Sequence, residues 1–397
     1  NGLSDAKTFG TSSIMIGDST TGTIDAANYN TGVGIDVFAA LTSGDSNTAL
    51  GYSALAANTT GTYNTAVGAS VLTANTTGNY NVAVGGVALD ANTTGATNTA
   101  IGTSALGANT TGNDNTALGS DCLSGNTTAD NNTAVGKYAL RVNTTGGSNV
   151  AVGATSLDAN TTGGTNTAIG AAAMSANTTG SGNTSLGFNS LATNTTASNN
   201  TAVGYSALLL NATGTANTAV GKDALEANTG DNNTAVGLDA MTANTSGTQG
   251  TGIGVGALTA NTTGNYNSAL GYLALGANTT GTENVAVGAL AGDANTTGSF
   301  NTAVGYIALS AATTADGNTA VGRESLRDTT TGASNTAIGK EALKLNTTAA
   351  NNTAVGYHAL NINTTGTANV ALGANAMSTY VTGDSNTAVG YWALGAG

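Results

Sequence analysis

Few residues of this chain carry side chains suited to covalent or acid–base chemistry, and their spacing does not gather them. There is one histidine, His358, and one cysteine, Cys122. A nucleophile needs a base and a group to orient it, and a tetrahedral zinc site needs three or four ligands; neither set exists. A single thiol cannot form an intrachain disulfide and reads as a small apolar residue in a packed slot. The acidic residues, Asp223, Glu283 and Asp384 among them, recur at no constant separation, so no glycosidase carboxylate pair is indicated. Asn113-Asp114-Asn115 and Asp231-Asn232-Asn233 offer oxygen ligands for calcium. They lack the Gly-Gly-x-Gly-x-Asp repeat of calcium-binding rolls and read as turns. Asn-Thr-Thr recurs at Asn58, Asn75, Asn92 and Asn109, each an Asn-x-Thr glycosylation sequon. The same triplet opens a turn with Asn and continues it with β-favouring Thr, which is the reading taken. The expectation is a non-enzyme with no cofactor and no metal.

These residues sit in a frame that repeats every 17 positions. The phrase Asn-Thr-Ala-Val-Gly, two variable residues, Ala-Leu, a spacer and Asn-Thr-Thr-Gly opens at Asn47 and returns at Asn64, Asn81, Asn98, Asn115 and onward to Asn386. One residue is missing between Asn217 and Asn233, where Asn228-Thr229-Gly230 has one Thr in place of two. Degenerate copies open at Asn30 and Ser13. A short fixed period over nearly the whole chain predicts stacked coils, each contacting its neighbours. The organisation expected is a segment at 1–29 with one degenerate coil, then a continuous array over 30–397. The chain opens at Asn1 without Met and stops within a coil at Gly397, which reads as part of something longer. Neither Asn1–Ser12 nor Ala393–Gly397 reads as a polar cap.

Composition agrees. Proline, which central strands exclude, is absent from all 397 residues, and the 58 glycines fall at fixed phase. Only 7% of residues are charged. Equivalent positions of stacked coils lie about 4.8 Å apart, where a repeated charge would repel itself. Asn and Thr can instead form hydrogen-bonded ladders. With Lys plus Arg at 8 and a formal net charge of −13, a nucleic-acid partner is not expected. No apolar run is long enough to insert into a membrane as a helix.

Counting each coil from its Asn, position 4 is Val, Ile or Leu and position 9 is mostly Leu or Met. Both are expected to point inward. Positions 2–5 read as one strand and 6–9 as a second, with Gly at 5 as the bend. Positions 12–15 form the long turn, with Asn and Gly supplying left-handed conformations. Ala at Ala129, Ala197, Ala315 and Ala349 indicates that position 15 does not require positive φ. Small residues at 3, 8 and 11 suggest a stripe against which further chains pack, three in all. Helical spacing is absent. The fold expected is all-β: a parallel β-solenoid (β-roll) of 17-residue coils, roughly 22 of them, running on the order of 110 Å.

Aromatic residues favour position 6 (Tyr52, Phe188, Tyr205, Tyr272, Tyr306, Tyr357, Tyr391) and position 17 (Tyr63, Tyr80, Tyr266, Phe300). They are candidates for stacking on saccharides or for lateral contact between rods; the plainer reading is shielding of adjacent Gly backbone. Trp392 is a candidate contact with a following domain. His358, at variable position 7, is expected to be surface decoration. Thr at 2, 13 and 14 falls on a strand and a turn, not as a Thr-x-Thr pair on one strand, which argues against an ice-binding array.

Asn-Thr-Ala-Leu-Gly-Tyr-Ser-Ala-Leu at 47–55, with Val in fourth place at 200–208, resembles bacteriophage tail-fibre repeats. It is also similar to the Asn-Ser-Val-Ala-Ile-Gly repeat in the heads of trimeric autotransporter adhesins. The resemblance covers 30–397, although the adhesin repeat is shorter and lacks the Asn-Thr-Thr-Gly turn. It implies a left-handed, homotrimeric β-roll outside a cell or on a virion. The function expected is a non-catalytic fibre shaft or adhesin rod that projects a binding tip. The alternatives are a self-assembling extracellular filament subunit and a repeat surface that binds cell-surface glycans or ice.

Overall fold

The computed structural model describes residues 6–17 and 26–395. The fold is all-β, a solenoid of about 22 turns built from 24 mostly parallel strands with no helix among the described residues. The chain divides into two compact units, Asn1–Asn199 and Asn200–Gly397. The first holds β1 (Ala6–Phe9), β2 (Ser13–Gly17), β3 (Thr31–Gly34) and then three-residue strands from β4 (Thr48–Leu50) to β12 (Thr184–Leu186). The second runs from β13 (Thr201–Val203) to β24 (Thr387–Val389). Within each unit, from β2 onward, successive strands pair in parallel, like over like: Thr48 with Thr65, Ala49 with Ala66, Leu50 with Val67, and likewise Val370 with Thr387 and Leu372 with Val389.

The N-terminal edge differs from expectation. β1 pairs antiparallel with β2, Lys7 opposite Met15, while β2 pairs in parallel with β3. Residues 6–9 thus cover a strand edge that would otherwise present unpaired backbone groups. Of the expected 1–29 segment, 1–5 and 18–25 lie outside the described residues, as do 396–397 of the C-terminal segment.

The interior of a coil is set by three positions. Ala at 3, Ala at 8 and Leu or Met at 9 are enclosed, as in Ala100, Ala105 and Leu106 at 0% exposure. Position 4 was expected inward, and the structure reverses it: Leu50, Ile101, Leu118, Leu186 and Leu270 are all exposed. Successive strand residues face opposite sides, and the narrow lumen already holds the position-9 side chain. In the regular coils only a small residue, Ala or in places Ser185 or Gly252, then stands at 3, which sends 4 outward. The stripe of small residues is therefore core: Ala at 3 and 8 packs within its own unit, and position 11 is mostly half-buried. It is not a surface for other chains.

Positions 6–9 are not a second strand. They form a turn in which positions 7 and 9 adopt the left-handed region, Ser104 at φ 54° and Leu106 at φ 55°, and position 17 does so again, Thr97 at φ 60°. Left-handed backbone therefore sits at 7, 9 and 17, and position 15 has ordinary φ, so the reading from Ala129 holds and that of a left-handed 12–15 turn does not. Such residues each cost about 1–2 kcal/mol. The turn keeps them because its amides bond to adjacent coils: Ser104 N–H to Gly86 O at 3.0 Å, Leu106 N–H to Cys122 O at 3.0 Å. Gly at 5 is the one obligatory glycine. Gly51 has φ 137°, and a Cβ there would lie 2.1 Å from Gly68 O.

Two buried asparagine ladders close each coil. At position 1, Asn98 donates its backbone N–H to Asn81 Oδ1 (3.0 Å) and its Nδ2 to Gly112 O (2.8 Å). At position 12, Asn109 donates Nδ2 to Asn92 Oδ1 (2.9 Å) and to the same Gly112 O (3.0 Å). The position-15 carbonyl thus receives a donor from each end of its coil. Where a rung is lost, neighbours adjust. Met241 occupies the space that a side chain at Gly250 would fill, 2.7 Å from the ideal Cβ. Thr329 stands in for Asn, accepting from Asn346 Nδ2 at 3.2 Å. Ala312 offers no side-chain donor at that rung, and Asn295 Oδ1 has no hydrogen-bond partner.

Candidate functional site

The residues with chemical potential are dispersed around the coils. Cys122 takes the position-8 slot, fully buried, its thiol donating to Ala134 O at 3.0 Å. Burial pushes that thiol up to about 12. A nucleophilic cysteine needs the opposite shift. Cys122 is therefore expected to resist an aromatic disulfide reagent in the native protein at pH 8 and to react within seconds once denatured; prompt native labelling would contradict its placement.

The sequon asparagines are enclosed. Asn58, Asn75, Asn92 and Asn109 are at 0% exposure, and Asn58 Nδ2 is held by Gly61 O at 3.0 Å. The nitrogen a glycan would attach to is a ladder donor, so the turn reading holds. Neither calcium candidate gathers ligands. Asn113 donates its N–H to Asp130 Oδ1 (2.6 Å), and Asp231 Oδ1 accepts from Thr215 N–H (2.6 Å) and Oγ1 (3.0 Å). The position-16 acids cap amides of the preceding coil. Asp384 does so for Thr367, whose N–H and hydroxyl lower its pKa. No group of three or more His, Cys, Asp or Glu that could hold a metal occurs among the described residues. No helix of the described residues is long and apolar enough to cross a membrane.

His358 is not mere decoration. Its side chain is half-buried, its ring stacks on Tyr357 (centroids 3.9 Å), and Nε2 lies 3.1 Å from Glu341 Oε2. It ends a ladder of ion pairs across three coils: Arg323–Glu324 (2.7 Å), Glu324–Lys344 (2.7 Å), Lys344–Glu341 (3.2 Å). The Lys344 ammonium, with Arg323 beside it, holds the Glu324 carboxyl down at about 2. A lowered carboxyl pKa adds stability that is present above the ordinary value and lost as pH falls through the folded one. Thermal stability is therefore expected to fall between pH 4.5 and about 2, and Glu324→Gln to flatten that part of the profile. An identical profile in the variant would show the ladder is energetically idle.

The position-6 aromatics are exposed: Tyr52, Tyr205, Tyr272, Tyr306, Tyr357 and Tyr391. They do not form a continuous platform. In the first unit Tyr52 is followed at position 6 by Ala69 and Gly86; in the second, Tyr306 is followed by Arg323 and Lys340. The Tyr357 ring stacks on His358 and has Lys340 Nζ 5.5 Å from its centroid. Lys222 lies 5.9 Å from the Tyr205 centroid. At position 17, Tyr63 and Tyr80 stack on each other, centroids 5.0 Å apart and 3° from parallel. Trp392 meets Tyr391 edge to face.

What the repeat does build is a surface that the position-4 expectation hid. Exposed large apolar side chains concentrate at positions 2 and 4 and at the flanking positions 17 and 6. Among the described residues only Val87, Val142, Leu210, Val381, Trp392 and Leu394 fall elsewhere. No family model matches the chain, and no curated protein matches it.

Proposed function

We propose that this chain is a structural, non-catalytic protein: a fibre shaft or adhesin rod that holds a binding tip away from a virion or cell surface. The single observation that carries this reading is the in-register stacking within each unit, where backbone and asparagine ladders repeat coil after coil. Such a ladder resists bending and shear because every coil is bonded to both neighbours along most of its perimeter, turns included. At about 4.8 Å per strand, the twelve strands of the second unit stack to some 50 Å. The partner proposed is the chain itself, and the setting extracellular or virion-bound, following the resemblance to tail-fibre and adhesin repeats.

Negative-stain electron microscopy of the purified protein tests it. Stiff particles of one fixed length support a shaft. End-to-end polymers would assign the chain to the filament alternative. Compact, isotropic particles would overturn the structural reading.

A further inference from the structure

The outward strand face is exposed yet held constant. From Asn30 onward, position 2 is only Thr, Ser or Val and position 4 only Val, Ile or Leu, in both units. Position 6 beside it, the more exposed of the two, runs through Tyr, Ala, Thr, Ser, Lys, Phe, Leu and Arg. Strand propensity does not explain the contrast, because solvated strand faces admit charged side chains and protect themselves with Lys. None of the 8 basic or 21 acidic residues stands at position 2 or 4 of these coils. Internal repetition makes the comparison: some twenty copies of one surface, all neutral and, Ser268 apart, built of branched side chains.

We propose that this face, positions 2 and 4 with borders 17 and 6, packs against the same face of further copies of this chain about a rotation axis parallel to the coil stack. It rests on the structural reading above and names the surface by which the chain meets itself.

Three observations select that occupant. The first is periodicity: a row of like side chains about 4.8 Å apart is matched at every coil only by another such row. The second is area. Seven residues, positions 17 through 6, at ~3.3 Å by ~4.8 Å give about 110 Å² per coil. The eleven strands β2–β12 of the first unit then offer on the order of 1,000 Å², against roughly 800 Å² per partner in a stable interface. The third is charge. From Asn30 onward, border 6 carries only cations, Lys137, Lys222, Arg323 and Lys340, and border 17 only anions, Asp114 and Glu283. An axis along the stack brings border 17 of one copy to border 6 of the next, whereas antiparallel apposition sets like borders together.

The test is mass by sedimentation equilibrium on the full chain, the Ile253→Lys/Leu270→Lys variant and a Thr263→Lys/Thr280→Lys control at exposed turn positions. The proposal expects a multiple of the single-chain mass for wild type and control. It expects the single-chain mass for the face variant, with unchanged circular dichroism. A single-chain wild type at micromolar concentration, or a face variant of undiminished mass, would overturn it. If the face variant does not fold, Leu270→Cys and Thr280→Cys in a Cys122→Ala background decide. Oxidation should cross-link the first and not the second, and absence of cross-linking overturns the proposal. A single-chain protein that arrests ice growth through Ile253 and Leu270 would assign the face to a crystal lattice instead. Rods of single-chain mass sink this inference and leave the structural reading standing; the absence of rods sinks the latter.

Discussion

Leu123→Asp should unfold the coils around it, while Leu118→Asp, the same change five residues away in the same coil, should leave the fold intact. Leu123 is at 0% exposure, enclosed with Ala117 and Cys122, and Leu118 is 45% exposed on the strand face. A carboxylate at 123 would be buried in the apolar lumen, costing more than about 5 kcal/mol. At 118 it lies on the outer face of the coil, so the fold of the single chain should change by about 1 kcal/mol or less, whatever the substitution does to association between copies. Cys122 supplies the readout. Its thiol should become reactive in the Leu123→Asp protein and stay protected in the Leu118→Asp protein. Equal reactivity in the two would mean that the inward and outward sides of the strand are misassigned.

The second large effect concerns the asparagine ladder. Asn98 Oδ1 accepts the backbone N–H (3.0 Å) and Nδ2 (3.1 Å) of Asn115, while its own Nδ2 reaches Gly112 O. Asn98→Leu removes all of these, leaving the backbone N–H of Asn115 buried and unpaired while its Nδ2 keeps only Ala129 O, at a cost of about 2–4 kcal/mol. Asn98→Asp keeps the shape and the acceptor but places a carboxylate against the Gly112 carbonyl. Burial raises the pKa of such a carboxyl, so the stability of that variant should be greatest at acidic pH and fall as pH rises through the raised value. Chemical denaturation at pH 4 and pH 7 checks both changes. A loss below about 0.5 kcal/mol for Asn98→Leu would show that water or relaxation replaces the rung.

The period was legible because stacking demands it: a β-solenoid repeats its sequence wherever it repeats its cross-section. Leu at 9 and Gly at 5 were legible for the same reason, one as the large recurrent apolar residue and the other as the recurrent bend. The orientation of the strand was not. Ala and Val stand side by side at 3 and 4, both apolar, so a three-residue strand gives no clear alternation, and size argues for putting Val inside. The lumen decides otherwise because Leu123 and its counterparts already fill it. The left-handed turn was hidden by chemistry, since Leu at positive φ contradicts its local preference and persists only through bonds to adjacent coils. The asparagines were read as ladder and turn residues, but their complete burial followed only from the closed coil. The neutrality of the strand face was visible in the residues and became meaningful once positions 2 and 4 were seen to be exposed.

Distances between nitroxide labels bear most directly on the stacking itself. With Cys122→Ala as background, labels at Thr60 paired in turn with Thr128, Thr145 and Thr162 sit at position 14 of coils four, five and six steps apart in the first unit. Pulsed electron resonance should give separations of about 19, 24 and 29 Å, rising by ~4.8 Å for each 17 residues. Separations that do not climb linearly with coil number would contradict a pile of in-register turns.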